Sequence, residues 1–153
     1  MASPEDTLVL DTTKGKVVIE MRPDLAPGHV ARIKELVREK FYDGIVFHRV
    51  IDDFMAQTGC PQGTGTGGSG QKLKAEFSKE KHVRGICSMA RASDPNSGDS
   101  QFFICFDDAT FLDGKYTVWG KVTAGMEIVD QIKRGEPARD PDKIITARMA
   151  ADQ

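Results

Sequence analysis

The order of strand-like and helix-like segments restricts the fold of this chain more than any other feature of its sequence. Two strand-like segments come first, a helical segment follows, several strand-like segments come next, and a short helical segment precedes the last strand. Because strands and helices do not alternate regularly, a doubly wound parallel sheet is disfavoured. Short strands separated by glycine-rich turns are typical of an antiparallel barrel or sandwich. No internal repeat or linker divides the 153 residues, so we predict one domain over residues 1–153.

The predicted strands are short runs rich in β-branched and aromatic residues, bounded by glycine, proline or aspartate. Apolar residues at intervals of three and four predict a helix that begins at Pro27 and ends near Gly44. The same periodicity predicts a second helix through residues 126–132 that stops at Gly135, and residues 58–70 are predicted to be a loop. The eight predicted strands are residues 7–10, 16–21, 45–51, 54–57, 86–90, 101–106, 116–122 and 144–149.

Composition and charge exclude several classes of function. The 21 basic and 23 acidic residues give a formal net charge of -2, which provides no general attraction for nucleic acid or anionic membranes. Residues 1–6 are acidic where a secretory signal is basic, and no apolar run approaches the ~20 residues of a membrane helix. Three widely spaced cysteines, Cys60, Cys87 and Cys105, do not form a disulfide framework. We therefore expect a reducing compartment, the cytoplasm.

Two motifs occur in contexts that do not support their usual chemistry. Residues 63–68 satisfy G-x-G-x-x-G, but no amphipathic helix follows, so a flexible turn or a backbone segment close to an extended ligand is favoured over nucleotide binding. Cys60 and His48 could form a nucleophilic pair, although no third orienting group is evident. A hydrogen-bonded His48 in an apolar strand is the better interpretation. The three histidines also lack the spacing of metal ligands.

Arg49 is unusual because it interrupts an apolar strand, where an arginine is costly to bury unless it is paired. Strand alternation predicts that Phe47, Arg49 and Ile51 share one face. In the strand near residue 103, the same alternation separates positions 102 and 104 from positions 101, 103 and 105. Each strand is apolar on both faces and carries one polar side chain at a position where neither a surface nor a core alone would require it, which is typical of a pocket wall. By pattern alone, an exposed Arg49 in an ordinary salt bridge is an equally good interpretation.

A set of linked motifs runs in one order along almost the whole chain. The motifs are Phe47-His-Arg-Val-Ile51, Phe54-Met-Ala-Gln57, Gly65-Thr-Gly-Gly68, Met89-Ala90, Ser100-Gln-Phe-Phe-Ile104 and Leu112-Asp-Gly-Lys115. Together they resemble the cyclophilin family of peptidyl-prolyl cis–trans isomerases over residues 7–148, and the short chain and its glycine-rich loop at residues 63–70 resemble those of bacterial members. The resemblance implies a mainly β fold, a closed eight-stranded antiparallel β-barrel capped by two α-helices. It also implies isomerisation of X–Pro bonds without a cofactor or metal.

The resemblance assigns a role to each matching position. Arg49 is the expected catalytic residue. The other expected residues bind the substrate: Phe54, Met55, Phe103 and Leu112 line the proline pocket, Gln57 and Gln101 hydrogen-bond the peptide, Ala90 and Arg91 offer backbone contacts, and Phe111 and Tyr116 form the rim.

Four positions depart from the family pattern. Phe111 and Tyr116 replace the tryptophan and the histidine of many eukaryotic members, Arg91 replaces an asparagine, and Cys60 replaces an aspartate that is common after the Gln57 strand. Loss of the indole implies that cyclosporin binds with reduced affinity. The expected partners are proline-containing peptides and unfolded or folding proteins, with no nucleic acid or membrane, and the expected state is a monomer. An alternative on the same fold is a non-catalytic module or chaperone that captures proline-containing segments.

Overall fold

A computed structural model describes residues 3–153; Met1 and Ala2, the start of the acidic N-terminal segment, lie outside the described residues. The described chain is mainly β, with eight strands and two α-helices, α1 (Pro27–Arg38) and α2 (Met126–Val129). Within residues 3–153, no helix combines the length and the apolar character needed to cross a membrane. The strands are β1 (Thr7–Thr12), β2 (Gly15–Met21), β3 (Arg49–Ile51), β4 (Met55–Thr58), β5 (Ile86–Met89), β6 (Phe102–Cys105), β7 (Val118–Ala124) and β8 (Ile144–Met149).

All eight strands belong to one antiparallel sheet in the order β3-β4-β6-β5-β7-β2-β1-β8. The predicted closed barrel is wrong, because the described residues form no ladder between β3 and β8. That seam contains only an isolated bridge from Val46 to Lys143 and scattered backbone hydrogen bonds, such as Phe47 N–H to the carbonyl of Asp142 at 2.8 Å. The predicted strand at residues 45–51 is extended as a ladder only from Arg49, so it cannot close the sheet continuously.

The two helices are shorter than their apolar periodicity predicts. Helix α1 ends at Arg38, not near Gly44, and buries Val30 and Ile33 against the sheet. Helix α2 spans four residues. Beyond its end, Arg134 Nη1 donates to the carbonyls of Asp130 and Ile132, both at 2.7 Å, and so satisfies carbonyl groups that a longer helix would have paired with backbone N–H groups.

The sheet separates two apolar clusters. Phe102 packs in the main core, where its ring meets Trp119 edge-on at 5.1 Å between ring centroids. Phe103, the next residue, points to a second cluster that includes Met55 and Leu112. The alternation predicted for β6 is therefore confirmed, and β4 and β6 present an apolar surface on each side.

The predicted shared face of Phe47 and Arg49 is wrong. Phe47 is 1 % exposed and belongs to the main core, as does Val50, whereas Arg49 is only partly buried. The alternation fails because residues 47 and 48 lie outside any strand. An alternation of two holds only where the backbone is continuously extended.

Gly59, which directly follows β4, tests how tightly the chain packs there, and Gly44 is the matched control. Both have positive φ, +97° and +81°. A Cβ at Gly59 would collide with the backbone carbonyl of Ser100, whereas a Cβ at Gly44 meets nothing within 4 Å. We expect Gly59→Ala to lower the free energy of unfolding by about 3 kcal/mol or more, and Gly44→Ala by about 1 kcal/mol for the positive φ alone. Urea denaturation measures both values; equal losses would contradict the packing argument.

Candidate active site

A cavity of about 120 Å³ opens on the side of the sheet that carries the second apolar cluster. Strands β3, β4 and β6 form its floor, and the 3₁₀ turn Thr110–Leu112 closes one end. Nine of the eleven residues expected from the sequence line it: Arg49, Phe54, Met55, Gln57, Ala90, Arg91, Phe103, Leu112 and Tyr116. Gln101 lines an adjoining cavity of about 280 Å³, and Phe111 stands outside both, packed against Phe54 with 5.6 Å between ring centroids.

The strand register aligns the three central side chains of this site. Arg49 on β3 lies opposite Gln57 on β4, and Gln57 lies opposite Phe103 on β6. Residues directly opposite one another in adjacent strands point to the same face of the sheet. The cation, the amide and the aromatic ring therefore lie in one row across the sheet.

The guanidinium of Arg49 is held at two of its three nitrogens. Its Nε donates to Glu136 Oε1 at 2.9 Å, and its Nη1 donates to Gln57 Oε1 at 3.3 Å. Among residues 3–153, Nη2 has no hydrogen-bond acceptor. The side chain keeps 40 % of its surface exposed. Arg49 is thus both a salt-bridged residue and a pocket residue, so the two interpretations of its pattern are compatible.

A relay of amides extends this polar row to the glycine-rich loop. Gln57 Nε2 donates to Gln101 Oε1 at 2.9 Å. Gln101 Nε2 in turn donates to the backbone carbonyls of Gly65 at 3.0 Å and Gly67 at 2.8 Å. In both amides the nitrogen donates toward the glycine-rich loop, which leaves the oxygen on the side of Arg49. The relay therefore holds Gln57 Oε1 toward Arg49.

The apolar part of the cavity is supported from behind by a polar network. Met55, Phe103 and Leu112 are buried. His82, which is fully buried, stacks on the Phe103 ring with 6.3 Å between centroids. Its Nδ1 lies 3.0 Å from Asp113 Oδ1, and its Nε2 lies 2.9 Å from Ser88 Oγ. These contacts keep the Phe103 ring in place.

Burial lowers the pKa of His82, and the nearby Asp113 carboxylate opposes that effect only in part. The imidazole under Phe103 is therefore neutral near pH 7. Nothing in the sequence indicated that His82 contacts the site, because an isolated histidine carries no pattern that reveals its neighbours.

Two of the departing residues form the rim of the cavity. The Arg91 guanidinium carbon lies 4.6 Å from the centroid of the Tyr116 ring. Arg91 Nε also donates to the carbonyl of Lys115 at 2.9 Å, which holds the side chain over the ring. Phe111 is 64 % exposed. Its exposed ring leaves an apolar contact for a ligand at the edge of the groove.

Cys60 is buried beneath the glycine-rich loop and does not hydrogen-bond to His48. Its Sγ accepts the backbone N–H groups of Gly65 and Gly67, both at 3.3 Å. Burial by itself raises the pKa of this thiol, but the surrounding backbone N–H groups, that of Gly67 foremost, outweigh it and lower the pKa to about 7. Cys60 thus anchors the loop whose carbonyls hold Gln101.

The chain resembles known proteins along most of its length. A family model described as "Cyclophilin type peptidyl-prolyl cis-trans isomerase/CLD" matches residues 7–149. A probable peptidyl-prolyl cis-trans isomerase of Brucella suis biovar 1 (strain 1330) is 54 % identical over 99 % of this chain and 86 % of the relative. The peptidyl-prolyl cis-trans isomerase B of Bacillus subtilis (strain 168) is 44 % identical over 82 % of this chain and 88 % of the relative.

Solved structures show the same architecture. The cyclophilin AquaCyp293 from Hirschia baltica superposes with a TM-score of 0.92 at 32 % identity, over 99 % of this chain and 76 % of that one. A Cryptosporidium parvum cyclophilin-type isomerase, crystallised in the presence of the dipeptide Ala-Pro, has a TM-score of 0.87 at 29 % identity, over 94 % of this chain and 98 % of that one.

The chain belongs to the cyclophilin-type peptidyl-prolyl cis–trans isomerases. It is an isomerase of X–Pro peptide bonds, and its sheet is the cyclophilin fold with an open seam between β3 and β8.

The pKa of Cys60 predicts a pH-dependent contribution to stability. Its folded pKa is lower than that of an ordinary thiol, so the stabilisation is present above the ordinary pKa and is lost as the pH falls through about 7. We expect the stability difference between wild type and Cys60→Ala to grow between pH 6 and pH 9, by on the order of 1–2 kcal/mol.

Cys87 is the matched control, because burial raises the pKa of that thiol well above its usual range. Cys87→Ala should therefore show a pH-independent difference from wild type between pH 6 and pH 8. Urea denaturation at each pH measures both variants. A flat profile for Cys60→Ala would exclude a stabilised thiolate.

Proposed function

We propose that Arg49 is the catalytic residue of this isomerase and that the cavity beside it holds the proline of the substrate. The observation that carries the proposal is that Arg49 lines a cavity of about 120 Å³ together with apolar side chains, while its Nη2 has no hydrogen-bond acceptor among residues 3–153. We further propose that residues 1–153 act as one isomerase domain, since a single sheet runs through the described chain.

The chemistry requires rotation about a bond and no bond cleavage. The barrier of about 18–20 kcal/mol is the amide resonance lost as the C–N bond twists. For X–Pro bonds the cis form lies only about 0.5–1 kcal/mol above trans, yet exchange takes tens to hundreds of seconds. A catalyst therefore has only to bind the twisted amide better than the planar one. No nucleophile, metal or cofactor is needed for this.

Arg49 is suited to that differential binding. In the twisted amide the nitrogen lone pair is localised, so the nitrogen accepts a hydrogen bond better than it does in either planar form. A guanidinium is a rigid donor that carries positive charge, and Arg49 is already held by Glu136 and Gln57. One preorganised donor lowers a barrier by roughly 3–4 kcal/mol, or about 10²–10³ in rate.

The remaining site residues fix the substrate while the bond rotates. Met55, Phe103 and Leu112 form an apolar pocket of a size suited to a proline ring. We propose that Phe54 completes this pocket. Gln57, through its second Nε2–H, and Gln101, through the second lone pair of its Oε1, would hydrogen-bond the peptide. The backbone at Ala90 and Arg91 would pair with it. The rim of Phe111 and Tyr116 would contact the residues that flank the proline.

The proposed partners are proline-containing peptides and unfolded or folding proteins. The crystallisation of the Cryptosporidium parvum relative in the presence of Ala-Pro supports this class of ligand. We propose that the protein is cytoplasmic, because the free thiols of Cys60, Cys87 and Cys105 suit a reducing compartment.

We also propose that it is a monomer. Among the described residues, three large apolar side chains are exposed, those of Phe77, Phe111 and Ile145. The net charge of -2 is consistent with a function that involves neither nucleic acid nor a membrane.

The role of Arg49 is tested by the cis-to-trans rate of an Ala-Pro-Phe peptide. We expect Arg49→Ala to lower kcat/KM roughly 10²–10³-fold while peptide binding persists, because the apolar pocket remains. Arg22→Ala is the matched control, since Arg22 forms an ion pair with Asp24 at 2.8 Å and does not line the cavity. That control should keep wild-type activity.

A non-catalytic binding module gives a different result in the same assay. Wild-type protein would then bind proline peptides, for example by calorimetry, without accelerating exchange of any of them. Full activity in Arg49→Ala would instead exclude Arg49 as the catalytic residue while the isomerase activity stands.

Cyclosporin binding tests the exposed rim at Phe111. We propose that cyclosporin binds with reduced affinity, because Phe111 lacks the indole N–H donor and part of the contact area of a tryptophan. Phe111→Trp should tighten binding roughly three- to tenfold, as expected for one aromatic contact and one hydrogen bond. Phe77→Trp is the control, since Phe77 is similarly exposed and does not line the groove. A titration without gain for Phe111→Trp would contradict this interpretation.

A further inference from the structure

Glu136 lies beside the proposed catalytic arginine although 87 residues separate the two in sequence. Its Oε1 accepts the Nε–H of Arg49 at 2.9 Å. The carboxylate belongs to the turn that fills the open seam between β3 and β8, and it does not line the cavity that holds Arg49. Glu136 therefore contacts the guanidinium without lining the groove.

The backbone fixes this turn to the strand that carries Arg49. Gly135 and Val50 exchange two hydrogen bonds, each of 2.8 Å, and Ala138 N–H donates to the carbonyl of His48 at 3.3 Å. Val50 directly follows Arg49, and Gly135 directly precedes Glu136. Arg49 and Glu136 therefore lie on adjacent segments that are joined by hydrogen bonds. A Cβ at Gly135 would crowd Ala138 and Pro137, so the turn is close-packed at this point. Backbone contacts on both sides of Glu136 therefore hold its side chain near Arg49.

Two acceptors together determine the plane of the guanidinium. Glu136 holds Nε and Gln57 Oε1 holds Nη1 at 3.3 Å, on two different edges of a planar, rigid group. With both edges fixed, the direction of Nη2 is determined. With Nε released, the group is held only at Nη1, and by the longer of the two bonds.

The ion pair between Arg49 and Glu136 is too exposed to contribute much to the stability of the fold. The side chains of Arg49 and Glu136 are 40 % and 58 % exposed, and exposed pairs of this kind contribute about 0–1 kcal/mol to folding. A carboxylate close to the guanidinium also weakens its field at the substrate, but solvent screens that effect. Misplacing a catalytic group by about 1 Å can cost up to 10²-fold in rate, so geometry outweighs the loss of field.

We propose that Glu136 is a positioning residue for the isomerase reaction, acting through Arg49; the proposal rests on the catalytic role proposed for Arg49. By accepting the Nε–H, it aims Nη2 at the nitrogen of the twisting X–Pro bond. Its effect is expected on kcat, because the orientation of the donor matters in the transition state and little in the bound planar peptide.

The test compares Glu136→Ala with Glu136→Gln in a proline-peptide assay that separates kcat from KM. Glu136→Ala removes the acceptor, and we expect kcat to fall roughly three- to tenfold with KM within about twofold. Glu136→Gln keeps an oxygen acceptor without the charge and should stay within about twofold of wild type. Glu39→Ala is the control, because Glu39 is an exposed glutamate with no side-chain hydrogen bond and no place in the groove.

Two further measurements exclude a merely structural effect. In an Arg49→Ala background, adding Glu136→Ala should change kcat/KM by less than about 1.5-fold, because a positioning residue has nothing left to position. In ¹⁵N NMR spectra, the Arg49 Nε–H signal should shift or broaden in Glu136→Ala and remain near its wild-type position in Glu136→Gln. A purely structural loss would lower activity in both backgrounds alike.

Several results would overturn the proposal for Glu136 alone. These are an unchanged or raised kcat in Glu136→Ala, equal losses in the alanine and glutamine variants, or an additive loss in the Arg49→Ala background. Each of them leaves the role of Arg49 intact if Arg49→Ala is inactive. Full activity in Arg49→Ala would overturn the proposed role of Arg49, and the role of Glu136 with it.

Discussion

The antiparallel register of β3, β4 and β6 is the constraint on which the site depends. It aligns Arg49, Gln57 and Phe103 across three strands and on one face. Since side chains alternate strictly along a strand, a slip of one residue in either pairing would turn a member of this row into the main core. Phe102 and Ile104, which fill that core on the opposite face, make such a slip costly. The packing of the core therefore enforces the geometry of the site.

Rigid support is the common feature of the residues around the cavity. The guanidinium of Arg49 is held by Glu136 and Gln57, and Gln57 is held through Gln101 by the glycine-rich loop. The Phe103 ring rests on His82, whose own ring nitrogens are both partnered. Catalysis by orientation and electrostatics requires groups that do not reorganise during the reaction. A network of short-range hydrogen bonds behind an apolar pocket meets that requirement.

The open seam between β3 and β8 leaves room for one of these supporting contacts, the one from Glu136. If a continuous ladder joined the two strands, the space beside Arg49 would be filled by strand backbone. The turn around Gly135 fills it in place of a ladder, and this turn brings Glu136 to the Nε edge of the guanidinium. The departure from a closed barrel thus coincides with the place where the polar row across the sheet begins. Elsewhere in the described sheet, ladders join all neighbouring strands, although the β1–β8, β2–β7 and β5–β7 ladders each contain a register shift.

The sequence by itself determined the eight strands, since strand periodicity is a local property, and β8 was predicted with its observed bounds at residues 144–149. Its linked motifs also identified the family and nine residues that line one cavity. Only the tertiary structure decided the open seam and the approach of Glu136 and His82 to the site. These features depend on contacts between residues far apart in the chain, and no local pattern encodes such contacts. The turn at Gly135, which pairs with Val50 where a ladder to β8 would otherwise run, is of this kind.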